Sequence, residues 1–360
     1  HVPGPHRFGL PFLDGESGSG VENWIFRFYL LLYIRFSCNV PYSSMKSVFT
    51  QWQPQFARMI AAFYFVLVFI QSGAKGQSVG EPEWRWQNPL PQSQSLKDEC
   101  FLDNQNGWTV GDFGTILKTT TSGRSWLLQV SGTVNSLEDV HFVDPQNGLA
   151  VGWSGTILKT SNGGNSWQIQ TSGTTNHLYS AQFMGAQNGW VAGQNGTIIK
   201  TSNGGGDWVS QTSGTSKNLN SIYFLDDLNG WASGGSGTIL KTTNGGQNWE
   251  TQNSGTTTEL NSIFFSDAQN GWAVGLFGRI FKSNDGGTSW QIQSSETTNL
   301  LTSVHFINAQ NGCVVGNSGT ILKTVNGGTT WSVQNSGTTN DLNSVHFTNS
   351  QNGFVVGAFG

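Results

Sequence analysis

One interval governs this chain. Asn-Gly pairs place a glycine at Gly107, Gly148, Gly189, Gly230, Gly271, Gly312 and Gly353, a constant step of 41 residues. A closing tryptophan keeps the same step through Trp126, Trp167, Trp208, Trp249, Trp290 and Trp331. A fixed period in this range marks one supersecondary unit copied and packed on its neighbours. The unit is clearest from Asn147 to Trp167 and reads as four short strands. Leu137 to Phe142 is the first, and an Asp-Pro-Gln-Asn-Gly turn leads to Leu149-Ala150-Val151. A Gly152-Trp153-Ser154-Gly155 hairpin leads into Thr156 to Thr160, and the Asn162-Gly163-Gly164 turn delivers Trp167 to Gln170. Asn-Gly supplies positive φ at little cost, and glycine at this density breaks any window long enough for a helix. Four strands in about 40 residues is a propeller blade. The expected fold is all-β, a seven-bladed β-propeller of four-stranded blades whose last blade is truncated.

Charge narrows the partners. Only 11% of residues are charged, the net charge is −4, and no basic run interrupts the repeats. Nucleic acid is therefore not expected as a partner. Cys38, Cys100 and Cys313 have neither metal-site nor disulfide-framework spacing, and Cys100 and Cys313 read as buried thiols.

The N-terminal part differs from the repeats. Residues 1–44 begin with His1, contain no methionine, and read as an upstream, non-native segment. Met45 opens 45–74, with basic Lys46 and Arg58, an apolar run from Met59 to Ile70, and small Ser72 and Ala74 where a peptidase could cut. This is the pattern of a secretory signal peptide, and 12 apolar residues are too few for a membrane span. Residues 75–83 form a linker and 84–360 the propeller. Trp84-Arg85-Trp86-Gln87-Asn88 matches the last strand of the unit, so it is expected to complete the seventh blade and close the ring. First strands should start at Leu96, Leu137, Leu178, Leu219, Leu260, Leu301 and Leu342. The seventh blade stops at Gly360, inside its second hairpin.

The segments Gly148–Trp167, Gly189–Trp208 and Gly230–Trp249 resemble the propeller family of photosystem II stability and assembly factors and their secreted bacterial relatives. The resemblance covers 84–360. It implies a propeller that works in protein assembly or recognition, in the lumen if the host is photosynthetic. It also implies a basic, arginine-rich partner patch, for which this chain offers few arginines. Ser283 to Trp290 resembles the Asp-box of glycosidase propellers, with asparagine at the Asp place in Asn162, Asn203, Asn244 and Asn326. In those families the box is a folding device away from the active site.

No catalytic constellation is expected. A glycosidase needs two facing carboxylates, whereas Asp112, Asp139, Asp207, Glu250, Glu259, Glu296 and Asp341 read as scattered, sharing no repeat position at the channel mouth. His141, His305 and His346 share one first-strand position on blades 2, 6 and 7, which suits interblade packing rather than a metal, and neither metal nor cofactor is expected. Lys118, Lys159, Lys200, Lys241, Lys282 and Lys323 recur on third strands, which suits stems packed along tryptophans with ammoniums on turn carbonyls. The blades differ most inside the Gly-x-x-Gly hairpins. Phe113, Trp153 and Phe359 would form an aromatic arc over blades 1, 2 and 7, with Leu276 and Phe277 on blade 5. Exposed aromatics at such tips suit a binding surface. The expectation is a secreted or periplasmic, monomeric, non-enzymatic scaffold whose partner is a protein. Alternatives are a glycan-binding or adhesion module and one half of a two-propeller glycoside hydrolase.

Overall fold

The computed structural model describes Trp84, Arg85 and residues 94–358, all within one unit spanning Val79–Gly360. The expected upstream segment, signal peptide and linker lie outside the described residues. Blade 1 consists of β1 (Leu96–Phe101), β2 (Gly107–Gly111), β3 (Ile116–Thr119) and β4 (Leu127–Leu128), paired in that order and antiparallel throughout. Five further four-stranded blades repeat this order, and blade 7 contributes the pair Leu342–Phe347 and Gly353–Gly357. All seven first strands begin at the expected leucines. The fold is therefore a propeller of six full blades and a truncated seventh.

The core lies in the seams between blades rather than within any one sheet. At the seam of blades 1 and 2, Cys100, Trp108, Val110 and Ile116 pack against Leu137, Val140, Phe142, Ala150, Leu158 and Trp167. The repeated element is an aromatic sandwich. Trp108 stacks on Phe142 at 3.6 Å, and Phe142 meets Trp167 of its own blade edge-on at 5.8 Å. Trp190–Phe224, Trp231–Phe265 and Trp272–Phe306 repeat the stack. The phenylalanine also lies over the glycine that opens its blade's second strand, where any side chain would meet the ring.

The recurrent lysines belong to the same seams. The Lys118 ammonium sits 5.2 Å from the Trp108 ring and donates to the Gly163 carbonyl at 2.8 Å, and Lys200 does the same with Trp190 and Gly245. The Asp-box turns are held locally. Asp285 Oδ1 accepts from Ser283 Oγ at 2.8 Å and the Ser289 N–H at 2.9 Å, while Asn162 Oδ1 accepts the Ser166 N–H at 2.9 Å. Hydrogen bonds from the Ser289 side chain and backbone hold Asp285 down at about 2.

Blades 7 and 1 close the ring with the same parts. Phe354 stacks on Phe101 at 3.5 Å, and Asn343 Nδ2 donates to the Leu96 carbonyl at 2.6 Å. Trp84 meets Phe347 edge-on at 6.0 Å, the place Trp331 takes against Phe306 in blade 6. The N-terminal tryptophan thus fills the outer position of blade 7. Trp84 and Arg85 carry no strand, and 86–88 lie outside the described residues.

Candidate functional site

Each first strand carries a bulge between its first and third residues. A bulge breaks the alternation of faces and re-aims one side chain. Here it brings the second and third residues of all seven first strands to the wall of the central channel. They line a cavity of about 350 Å³ with Lys97, Asp98, Glu138, Asp139, Tyr179 and Ser180 on blades 1–3, continued by Asn, Ser and Thr residues on the other four.

The third residue stitches neighbouring blades. Ser180, Ser221, Ser262 and Ser303 each accept the N–H of Ile222, Ile263, Val304 and Val345 respectively. Asp98 and Asp139 do the same work on blades 1 and 2, accepting from Val140 at 3.1 Å and Ala181 at 2.9 Å. Ser344 Oγ donates to Asp98 at 2.7 Å and completes the circle. The two aspartates also interact with each other across the seam. Burial raises Asp98 to about 6, and burial together with the charge of Asp98 lifts Asp139 well above the usual range.

This corrects the expectation that the acids share no repeat position at the channel mouth. Asp98 and Asp139 occupy the same position, and Glu138 stands beside them. The bulge is the reason, because simple strand alternation would send the second and third residues to opposite faces. Asp98 and Asp139 each accept a seam backbone N–H, whereas glycosidase carboxylates stand free on either side of the scissile bond.

The second residue divides the ring. On blades 4–7 Asn220, Asn261, Thr302 and Asn343 donate across their seams to the carbonyls of Leu260, Leu301, Leu342 and Leu96. On blades 1–3 this position holds Lys97, Glu138 and Tyr179. Lys97 pairs with Asp112 at 3.4 Å, and Asp112 accepts from Ser136 Oγ at 2.6 Å. Burial raises Glu138, with Lys97 and Trp153 opposing. Trp153 lies over His177 at 5.0 Å, and His177 stands 6.5 Å from Tyr179. Glu259, bonded to Asn220, faces Tyr179 from the other side. Sequence reading passed over Lys97, Asp98, Glu138 and Tyr179. Aligning the first strands on their leucines exposes them as the odd members of a column otherwise filled by Asn and Thr, or by Ser.

The hairpin tips flank this mouth. Their N–H groups bond to the linkers that precede the first strands, Asp112 to Ser95 and Trp153 to Ser136, so tips and linkers share one face. Phe113 is 71% exposed, Phe277 64% and Trp153 47%, and Leu276 is half-buried. Phe359 lies outside the described residues. Phe113 (φ 57°) and Phe277 (φ 61°) sit in the left-handed region, where four other blades place Ser154, Asn195, Ser236 and Ser318. A bulky aromatic is disfavoured there.

The histidines stay out of this site. His141 and His305 face their neighbouring blades, and His346 bonds toward the backbone of Phe101. Burial lowers His141 and His346 to about 4 and His305 to about 3. Among the described residues no three His, Cys, Asp or Glu side chains are grouped to hold a metal ion.

A family model described as photosynthesis system II assembly factor YCF48 matches residues 128–216, 209–284 and 282–360. No curated protein matches the chain. Among solved structures, YCF48 bound to D1 peptide aligns with a TM-score of 0.65 and 21% identity, covering 78% of this chain and 97% of that one. YCF48 from Cyanidioschyzon merolae aligns at 0.63 and 21%, covering 76% and 95%. A GH74 enzyme from Niastella koreensis aligns at 0.60 and 16%, covering 74% of this chain and 52% of its own. At these identities the structural likenesses speak to the fold.

Proposed function

Because this chain belongs to the photosynthesis system II assembly factor YCF48 family, we propose that it is a non-enzymatic scaffold that binds an extended segment of a partner protein. The binding face is the one that carries the hairpin tips and the channel mouth over blades 1–3. The observation that carries this reading is the break in the repeat. Positions that fold the ring recur in blade after blade, whereas Phe113 and Trp153 are exposed aromatics at neighbouring tips, and Phe113 keeps a backbone conformation that Ser or Asn would adopt more cheaply. Asp98 and Asp139 in the channel are engaged in holding blades together, which favours binding over hydrolysis. The apolar run after Met45 supports export across a membrane and cleavage near Ala74. Sequencing the N-terminus of the protein recovered from its host checks this, and an intact Met45 segment would refute it.

The D1 peptide of the structurally similar protein is the first ligand to try. In fluorescence anisotropy a labelled D1 peptide should bind the wild-type chain. A Phe113→Ser, Trp153→Ser double variant should lose that binding with little change in melting temperature. Binding that survives the double substitution, or a large loss of stability instead, would place these aromatics in the fold rather than the site.

A further inference from the structure

The channel mouth also specifies the charge of what enters it. Resting on the peptide-binding reading above, we propose that the mouth over blades 1–3 receives the cationic side chain of an extended peptide, a guanidinium or ammonium held between Glu138 and the Trp153–Tyr179 wall.

Three independent features converge on this occupant. The first is charge complementarity. Asp112, Glu138 and Glu259 stand around the mouth with Asp98 and Asp139 behind them, and the Lys97 ammonium among them is already paired with Asp112. A cation entering here meets uncompensated carboxylate charge, whereas an acidic side chain meets repulsion.

The second is availability. On blades 4–7 the channel-facing amide or hydroxyl is consumed by a carbonyl of the next blade. On blades 1–3 the exchange of that side chain for Lys, Glu and Tyr gives up the stitch and turns three longer side chains to the cavity. Lys97 is taken up by Asp112, and Glu138 and Tyr179 are left facing the cavity.

The third is the wall. Trp153, packed on His177 and close to Glu138, continues through Tyr179. Aromatic faces beside a carboxylate suit a cation, and a planar guanidinium most of all. A cavity of about 350 Å³ accommodates one long side chain and not a folded domain, so the peptide backbone would cross the tips while one residue reaches in.

The test uses three acetylated, amidated pentapeptides, Gly-Tyr-Xaa-Tyr-Gly, with arginine, citrulline or glutamate at the centre. Binding to the full chain is followed by the NMR shift of the Trp153 indole, alongside the D1 peptide. The arginine peptide should bind at least about tenfold tighter than the citrulline peptide, the loss expected when one charge-assisted hydrogen bond is removed. Glu138→Gln should erase that preference. A Glu138→Asp variant should retain part of it, which separates charge from a packing defect. Equal binding of all three peptides, or a preference that persists in Glu138→Gln, overturns the proposal while peptide binding itself stands. If the arginine peptide leaves the Trp153 indole unmoved at millimolar concentration, the proposal falls. Loss of D1 binding as well would then remove the broader reading.

Discussion

Glu99 occupies the fourth position of its strand, where the other six blades carry Val140, Ala181, Ile222, Ile263, Val304 and Val345. It is 3% exposed and faces the seam with blade 7. Ser344 and the backbone of His346 lie across from it, yet neither carboxylate oxygen closes a hydrogen bond of good geometry. Burial first, and the charge of Asp98 second, raise the group well above its ordinary value of 4.5. Above that ordinary value the folded chain keeps a proton that the unfolded chain has released, so stability falls as pH rises toward the raised folded value. Glu99→Val should therefore stabilise the fold by about 2 kcal/mol at pH 4, the cost of an unsatisfied buried polar group, and by more at pH 8. Urea unfolding at both pH values checks this, and a gain independent of pH would contradict it. The buried histidines act with the opposite sign. Lowered to between about 3 and 4, they contribute stability that is lost as pH falls from their ordinary 6.5 through those values.

At the scale of the strand, the seam sandwich sets the tolerance of each blade. A Cβ on Gly230 would lie 2.5 Å from the Phe224 ring, which is itself stacked on Trp190 at 3.8 Å. The ring has nowhere to retreat, so Gly230→Ala should cost about 2 kcal/mol through overpacking. A thermal melt reads this out, and an unchanged midpoint would show that the sandwich yields. These elements were legible in the sequence because each is written six or seven times. The leucine that starts a first strand recurs in all seven blades, and the tryptophan that ends a turn in six, always in register. Less legible was the direction of side chains at the bulges, since strand alternation alone does not put Glu138 and Asp139 on one wall. The hairpin tips were legible as variable positions, and their left-handed geometry explains why most of them are Ser or Asn. The pairing of Asp98 with Asp139 has no local signature. It depends on two strands 41 residues apart being brought side by side.

In each of blades 1–6 the edge-on tryptophan over the first-strand phenylalanine comes from the end of that same blade, whereas in blade 7 Trp84 supplies it. Trp84→Ala should remove the edge-on partner of Phe347 and cost about 3 kcal/mol, as large-to-small changes at packed aromatics do. The loss should be local. Hydrogen exchange of the Leu342–Phe347 amides should accelerate first, with blades 3 and 4 least affected. A uniform rise in exchange around the ring would mean that closure supports all blades equally.

The position of Trp84 also sets an order in time. The residue that completes the last blade leaves the ribosome before any blade does, and Phe347 follows only after six blades have been made. At about 5–20 residues per second the wait is on the order of ten to fifty seconds. Throughout it, Leu96, Leu117 and Phe101 on blade 1 have no blade 7 to cover them. Until then the nascent chain is an open arc with an apolar face at its leading end, and the ring closes only when blade 7 arrives. A holding factor that engages this protein should therefore recognise blade 1 and release it when blade 7 arrives.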